Sequence, residues 1–559
     1  MKLHTARMAG ALVASMLMAS PWAPSAALTP DAGDVHGRWP VAVSKETTYL
    51  VEPLGRGGTP DYVAALNRQG ALGTSSQDNA VVAMAGVLGP EMVAAPDREQ
   101  FYRLLGVGPP APEGQYFIPY EAYVKRRAPA ALRWRQEGDS IRSPTADLQE
   151  DRSLHCGWSK EECPLVAGWL AENEKPLARV VAAARQARFY LPLVVGTHGS
   201  DLGIGGPVGD VVPPVAINAP ARALRARAML HVREGDLRRA RDDLQACHRL
   251  ARLMGQSATM TVALEASAID MLTTDGDLRL AHYATLSKQQ ARSISAEIRA
   301  LPPLPSLLEK FGIWDRFLYL DTVCRVARGV KVDSEIATAE RRRLLTACAD
   351  KGLLDWNAIL HLGNRRFDAV VAAGRIAEPA ARWRALSAAC DEAAKWRSEA
   401  KSILAMPPEE AAASLSPAAV TEGLCSVYML PASNYLGALI RLERVRAIFS
   451  DLTEISLVLG AYRTEHGRYP QELRELQPRF LPALPKDPYG GEDFRYRAED
   501  HTPEGDGYVL YSVGPDGKDN GGPKFPNWGF GDDEALRTSD DIGVRMPGGK
   551  SQREGWPAD

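Results

Sequence analysis

Acidic side chains are concentrated near the C-terminus, in a pattern that suits a divalent cation. Asp516, Asp519 and Asn520 lie in a glycine-rich turn, and Asp540 and Asp541 follow after a longer loop. Calcium takes roughly six to eight oxygen ligands from carboxylates and backbone carbonyls, and glycine-rich turns allow carbonyls to point inward. The residues therefore predict a calcium site, with a solvated acidic loop that holds no metal as the alternative.

Two cysteines and a histidine form a second group of reactive residue types. Cys156 and Cys163 enclose a short turn-rich stretch, and His155 precedes the first of them. A spacer of this length can close a small disulfide loop, which we predict in preference to two free thiols. A metal site is the third and least favoured alternative. The chain has neither a second Cys-x-x-Cys pair nor a matching histidine pair to supply the remaining ligands. The other cysteines stand singly in helical patterns, which is typical of buried thiols.

Other stretches contain only parts of catalytic motifs. Ser398 and Lys401 match Ser-x-x-Lys, but the chain has no Lys-Thr-Gly to accompany them. The glycine run 203–209 leads into prolines rather than a helix, so no helix N-terminus is available for a phosphate. Chance and loop structure explain both stretches better than catalysis does.

One loop carries the residue types of a hydrolase triad. His198, Ser200 and Asp201 are adjacent in sequence, whereas a triad needs its three members placed in space by separate elements. We therefore expect a non-catalytic protein. An exported hydrolase with an active site in the helical body, around residues 155–215, is the alternative function.

Composition sets the broad class of protein. The chain has 559 residues, with 66 basic and 69 acidic side chains and a formal net charge of -3. This balance argues against a nucleic-acid partner, which would require a basic excess or a basic face. Hydrophobic residues at 45% and charged residues at 24% are typical of a globular protein. They exclude a collagen-like chain, a long disordered chain and a polytopic membrane protein.

The N-terminus has the features of a secretory signal peptide. Lys2 and Arg7 precede the uncharged run Met8–Ser20, and small residues lead to Ala27. We predict a signal peptide over 1–27 and export to the periplasm or cell envelope of a bacterium, with an uncleaved anchor as the alternative. No later window holds the ~18 consecutive apolar residues of a transmembrane helix, so no integral span is expected after cleavage.

The middle of the chain predicts helices packed on helices. Residues 28–60 are rich in Pro, Gly and Thr and predict an extended arm, with an edge strand as one interpretation of 47–51. Helical periodicity then dominates residues 61–433. Within them, 221–255 is similar to one tetratricopeptide repeat, a helical hairpin that stacks into protein-binding arrays. At the other end, 548–559 predicts a disordered tail.

The composition changes sharply after a long helix that we expect to begin near Asn434. Beyond residue 466 the chain is dense in Gly, Asp, Pro and Tyr. Short alternating segments at 494–496 and 508–513 predict strands. The sequence therefore predicts a C-terminal α+β unit over 434–547, consisting of one long helix and a small antiparallel sheet.

Three stretches of this unit together resemble a known family. Residues Ala461–Pro470, Leu481–Gly490 and Tyr511–Gly517 resemble, in order and spacing, the globular head of the major pseudopilin of type II secretion systems. The resemblance covers roughly 110 residues and nothing outside the C-terminal unit. It implies a helix lying against a short antiparallel sheet, followed by a loop that binds calcium in that family.

Mapped onto this chain, the resemblance implies a specific set of calcium ligands. They are the side chains of Asp516, Asp540 and Asp541 and the backbone oxygens of Val513 and Lys518. Pseudopilins begin with an anchoring helix, which here would follow more than 400 residues of other protein. We therefore expect an exported scaffold or protein-binding protein of the envelope with a calcium-stabilised head, linked to type II secretion rather than a pilus subunit.

Overall fold

The protein is mainly α-helical and carries a small antiparallel sheet near its C-terminus, as the sequence predicts. This computed structural model describes residues 40–55, 58–137, 140–194, 214–329, 339–502, 505–523 and 541–547. The N-terminal helices are α1 (Tyr62–Ala71), α2 (Ala80–Leu88), α3 (Arg98–Leu105), α4 (Tyr120–Arg127), α5 (Thr145–His155), α6 (Pro164–Glu172) and α7 (Glu174–Ala183).

Longer helices make up the centre of the molecule. They are α8 (Pro214–Glu234), α9 (Leu237–Met254), α10 (Met260–Tyr283), α11 (Lys288–Arg299), α12 (Leu307–Lys310), α13 (Arg316–Ala327), α14 (Ala339–Asp350), α15 (Trp356–Gly374), α16 (Pro379–Ala405), α17 (Pro408–Ser414), α18 (Pro417–Tyr428) and α19 (Leu430–His466). A single wide turn of π-helix, Phe311–Asp315, joins α12 to α13.

Helices α8 and α9 lie where the sequence predicts a hairpin, at 221–255. Gly235 between them has a φ of 78°, a left-handed conformation that glycine adopts without strain. Asp236 then begins α9, because its carboxylate accepts a hydrogen bond of 3.1 Å from the amide of Arg239. Local turn chemistry therefore accounts for the hairpin, and its assignment as a tetratricopeptide repeat stays a prediction.

Two hydrophobic cores share their central helices. One core joins α2 to α11 with the C-terminal sheet, and the other joins the N-terminal arm with α12 to α18. Helix α19 contributes to both, with Leu436 and Leu439 in the second core and Val445 and Ile448 in the first. The predicted boundary near Asn434 thus falls inside one continuous helix.

The C-terminal sheet has the order β3-β4-β5 and is antiparallel throughout. Its strands are β3 (Arg495–Thr502), β4 (Gly505–Ser512) and β5 (Ile542–Met546), and a separate small hairpin is formed by β1 (Arg135–Glu137) and β2 (Ser140–Arg142). In register, Tyr508 of β4 faces Ala498 of β3 and Met546 of β5. The two strands predicted at 494–496 and 508–513 are confirmed as β3 and β4, except that Phe494 and Val513 lie just outside them.

The described part of the N-terminal arm forms turns instead of a strand. The hydroxyl of Thr48 donates to the carbonyl of Leu50 at 2.8 Å, which folds the chain back on itself. Asn364 of α15 donates to the carbonyl of Thr47 at 2.9 Å and fixes the arm to the body. The edge-strand interpretation of 47–51 is therefore wrong, because the threonine side chains satisfy the backbone locally.

No single helix in the described ranges has both the length and the apolarity needed to cross a membrane. Helices α18 and α19, which meet at a bend of 60°, pass that test only as a pair.

Candidate functional site

A buried carboxylate, Asp487, which was not among the predicted site residues, contacts the start of the C-terminal loop after β4. Asp487 is 2% exposed and accepts hydrogen bonds from the hydroxyl of Ser512 at 2.7 Å and from the amide of Val513 at 2.9 Å. It also accepts from the amide of Tyr489 at 2.9 Å, within its own turn. One carboxylate thus joins the stretch around Asp487 to the end of β4 and fixes where the loop starts.

Within the loop, each described aspartate is bound to nearby hydrogen-bond donors. Asp516 is exposed and accepts from the amide of Lys518 at 2.9 Å. Asp541 is buried and accepts from the amides of Asn520 at 3.1 Å and Gly522 at 2.8 Å. Asp541, the residue before β5, therefore joins the end of the loop to residues 520 and 522 near its beginning.

Asp519 is the third aspartate of this loop that the structure describes. It accepts hydrogen bonds from the hydroxyl of Tyr511 at 2.8 Å and from the amide of Gly521 at 2.9 Å. Burial raises the pKa of Asp541, and the nearby carboxylates of Asp519 and Asp516 raise it further against the two amide donors. A cation placed among these side chains would relieve that repulsion.

The predicted calcium ligands are only partly described by the structure. Val513, Asp516, Lys518 and Asp541 lie in the loop as described above, whereas Asp540 lies outside the described residues. In the part of the chain that the structure describes, no three His, Cys, Asp or Glu side chains are grouped so that they could hold a metal. Calcium binding therefore stays a prediction.

Cys156 and Cys163 are free, buried thiols in the structure. The hydroxyl of Tyr283 lies 3.7 Å from the sulfur of Cys156, and burial raises the pKa of Cys163 to about 12. His155 points its Nδ1 at the carbonyl of Asp151, 2.8 Å away on the preceding turn. These contacts are those of packed side chains, and the disulfide between the two cysteines stays a prediction.

The remaining stretches with catalytic residue types form no described site. His198, Ser200 and Asp201, and the glycine run 203–209, lie outside the described residues. Ser398 and Lys401 are both exposed on α16. A serine nucleophile needs a base held against it and shielded from water, and an open helix surface provides no such enclosure.

The most concentrated group of buried charges lies between α9 and α10, at residues that the sequence analysis did not select. Nδ1 of His248 is 2.7 Å from a carboxylate oxygen of Asp270, and Nε2 is 2.7 Å from one of Asp277. Arg252 also pairs with Asp270. Burial opposes a charge on His248, but Asp277 and Asp270 outweigh it and raise its pKa to about 9.

A second buried pair continues this network along α10. Arg225 donates to Asp275, to the carbonyl of Leu272 at 2.7 Å and to that of Leu154 at 2.6 Å. Arg279, one turn after Asp275, lies 3.5 Å from the same carboxylate. The spacing of Asp270 and Asp277, two helical turns apart, was the available indication that one face of α10 carries acids inward.

The chemistry of these groups is that of fixed ion pairs between helices. Asp270, Asp275 and Asp277 of α10 each have a cationic partner, which stabilises the charged form of the carboxylate. Comparison with protein-family models, with curated proteins and with solved structures returns no match.

Proposed function

We propose that this chain is a non-catalytic exported protein of the bacterial envelope that binds a protein partner through its pseudopilin-like C-terminal unit. In this proposal calcium stabilises the loop after β4, and the partner belongs to, or works with, a type II secretion apparatus. The helical body acts as the scaffold on which the C-terminal unit is held.

The observation that carries the proposal is the bridge made by Asp487. This residue lies in one of the three stretches that resemble the pseudopilin head, and it binds Ser512 and Val513, which lie in another. The resemblance is one of sequence order, whereas the bridge is a physical contact between the two stretches. A helix, antiparallel strands and an exposed loop follow one another in the order that the resemblance implies, which supports the proposal.

The C-terminal unit is also held on the body by hydrogen bonds to α10. Arg463 and Tyr469 lie in the first of the three stretches, and both contact His282 of α10. The Tyr469 hydroxyl lies 2.9 Å from Nδ1 of His282 and accepts from Arg463 at 3.0 Å. These hydrogen bonds fix the base of the loop on the body, so that base needs no further ordering when a partner binds.

Buried thiols fit a scaffold better than a thiol enzyme. Burial raises the pKa of Cys324 to about 12 and that of Cys425 to about 11. A nucleophilic cysteine requires the opposite shift, toward the thiolate at neutral pH.

Site-specific photo-crosslinking in the intact envelope tests the proposal. A crosslinker replaces Lys518, which is exposed in the loop, and a control crosslinker replaces Lys125, whose side chain is 65% exposed on α4. We expect a discrete adduct from position 518 only, containing a type II secretion component, and we expect a calcium chelator to reduce it. Equal adducts from both positions, or no adduct from 518 with protein present at normal level, would contradict the proposal.

A further inference from the structure

One surface of the N-terminal part concentrates positive charge. It is formed by residues 125–134, which read KRRAPAALRW and contain four basic side chains and no acidic one. We call this segment the basic corner. All four basic side chains are exposed. A chain whose formal net charge is -3 therefore presents a local cationic surface here.

The basic corner is shaped by the end of a helix and by the turn that follows it. Helix α4 ends at Arg127, and a single turn of 3₁₀-helix, Pro129–Leu132, comes two residues later. This turn packs against α4, and its residues Ala131 and Leu132 pack against the hydrophobic core that joins α2 to α11. Its first two residues are exposed. The basic side chains are therefore held around an outward turn that the core supports.

Acidic neighbours neutralise only part of this charge. The amino group of Lys125 lies 2.8 Å from a carboxylate oxygen of Glu121. Arg126 and Arg127 share a single carboxylate, that of Glu172, which lies 3.6 Å from the guanidinium of Arg127. Three cations are thus paired with two carboxylates, and one positive charge is left in excess.

The last two residues of the basic corner add a second cation and an aromatic ring. Arg133 is exposed and forms no ion pair with any residue that the structure describes. Trp134 is 57% exposed, whereas the other tryptophans in the described ranges are buried or half-buried. An indole ring has an apolar body and one N–H donor, which suits the boundary between lipid headgroups and hydrocarbon.

We propose that the basic corner docks on the surface of a membrane that carries anionic phospholipids, with Trp134 inserted among the headgroups. The guanidinium of Arg133 pairs with lipid phosphate, whose oxygens match its planar set of N–H donors. An anionic leaflet spreads its charge over a plane, so it attracts all the cations around an outward turn together. The aliphatic stems of the arginines extend the apolar contact of the indole.

The choice of a membrane over a nucleic acid, the other polyanion with this chemistry, rests on the export included in the proposed function. The basic corner is a different surface from the C-terminal loop, and its test uses vesicles instead of a protein partner. Failure of one test therefore leaves the other standing. Lipid at this surface yields no protein adduct, so position 125 keeps its meaning as a crosslinking control.

Co-sedimentation of the full chain with vesicles tests the proposal. Vesicles of phosphatidylglycerol and phosphatidylcholine in equal amounts are the anionic probe, and vesicles of phosphatidylcholine alone are the neutral control. A chelator is present throughout, so that calcium cannot bridge the acidic C-terminal loop to lipid phosphate. We expect tighter binding to the anionic vesicles, weakened by added salt. Each variant keeps the same N-terminus, so any binding by residues 1–27 cancels between variants.

Two substitutions in the basic corner have matched controls elsewhere. Arg133→Gln should weaken binding to the anionic vesicles about fivefold, since each basic residue near such a surface contributes a factor of about that size. Trp134→Ala should weaken it by a similar factor. The controls are Arg238→Gln, at a side chain 77% exposed on α9, and Leu72→Ala, at a residue 78% exposed after α1. Both controls should bind as the native chain does.

Losses in the two corner variants, with none in the controls, support the docking surface. Equal binding to anionic and neutral vesicles overturns the proposal, as does binding that the corner variants leave unchanged or that the controls weaken as much. A single-stranded oligonucleotide bound more tightly than the anionic vesicles, with the same losses in Arg133→Gln and Trp134→Ala, would assign the surface to nucleic acid and also overturn it.

Discussion

His248 should make the stability of this protein depend on pH in a window where few other groups act. The imidazole is held between Asp270 and Asp277, and its side chain is 3% exposed. Its pKa is raised from 6.5 to about 9. Because the folded-state pKa is raised, the stabilisation is complete below the unfolded pKa of 6.5 and is lost as the pH rises through about 9.

The size of the effect follows from that shift. At ~1.4 kcal/mol per pH unit, a change from 6.5 to about 9 is worth about 3 kcal/mol of unfolding free energy at pH 6. Solvent screening reduces this little, because the imidazole and the Asp277 side chain are 3% and 5% exposed. His248→Gln keeps a polar side chain of similar length but removes the charge, so it should lose about 3 kcal/mol at pH 6 and much less near pH 9.5.

Urea unfolding from pH 6 to pH 9.5 measures the difference between the native chain and His248→Gln. Coincident fluorescence and circular-dichroism curves establish that one transition is being compared. Burial raises the pKa of both Glu265 and Asp315 to about 7, but both titrate in either protein and cancel in the difference. His231→Gln, at the end of α8 beside Glu234, is the matched control and should leave the difference near zero. A native-minus-variant difference that stays constant across the window refutes the reasoning.

Three further predictions address the C-terminal unit. Gly460→Ala should lower the unfolding free energy by roughly 2–4 kcal/mol in urea titrations, because an added Cβ would lie 2.2 Å from a backbone oxygen of α10. At Gly437 on the same helix an added Cβ would meet no atom within 3.8 Å, so the control Gly437→Ala should be neutral or stabilising by up to ~1 kcal/mol. Equal losses of unfolding free energy in the two variants would contradict this explanation. Asp487→Asn should cost about 1–3 kcal/mol and speed hydrogen exchange at the amide of residue 513, and unchanged exchange there would show that the bridge is dispensable. Calcium should raise the melting temperature of the full chain relative to the value measured with a chelator. Asp516→Asn should reduce that increase, whereas the control Asp391→Asn on α16 should not. Equal melting temperatures with calcium and with chelator would rule out the site.

Local patterns in the sequence were enough to predict the class of fold. Helical periodicity predicted the body, and the turn residues Gly235 and Asp236 fix the hairpin where it was expected. The tyrosine-rich alternation of 508–513 is found in β4. These features depend on residues only a few positions apart, so the sequence pattern contains all the residues that determine them.

The candidate sites depended on distant pairings that no local pattern contains. Asp487 is 25 residues from Ser512, and nothing near it in sequence reveals which donors it will meet. His248 and Asp277 are 29 residues apart and meet only because α9 and α10 pack against each other. Composition likewise allowed an edge strand at 47–51, whereas Thr48 folds that stretch into turns.

The apparent division of the chain into body and head is a division of composition more than of packing. The composition changes after residue 466, where α19 ends, but α19 runs from Leu430 to His466 across the predicted boundary near 434, and its buried residues contribute to both cores. At Gly460 this helix approaches the backbone of α10 so closely that no side chain fits between them. A cut at 434 would expose the apolar face along most of α19, which the sheet alone covers only near its end. The proposed calcium and partner binding, and the pH dependence expected of His248, should therefore be measured on the full chain, since the loop that would hold the metal is built on a helix that the body holds in place.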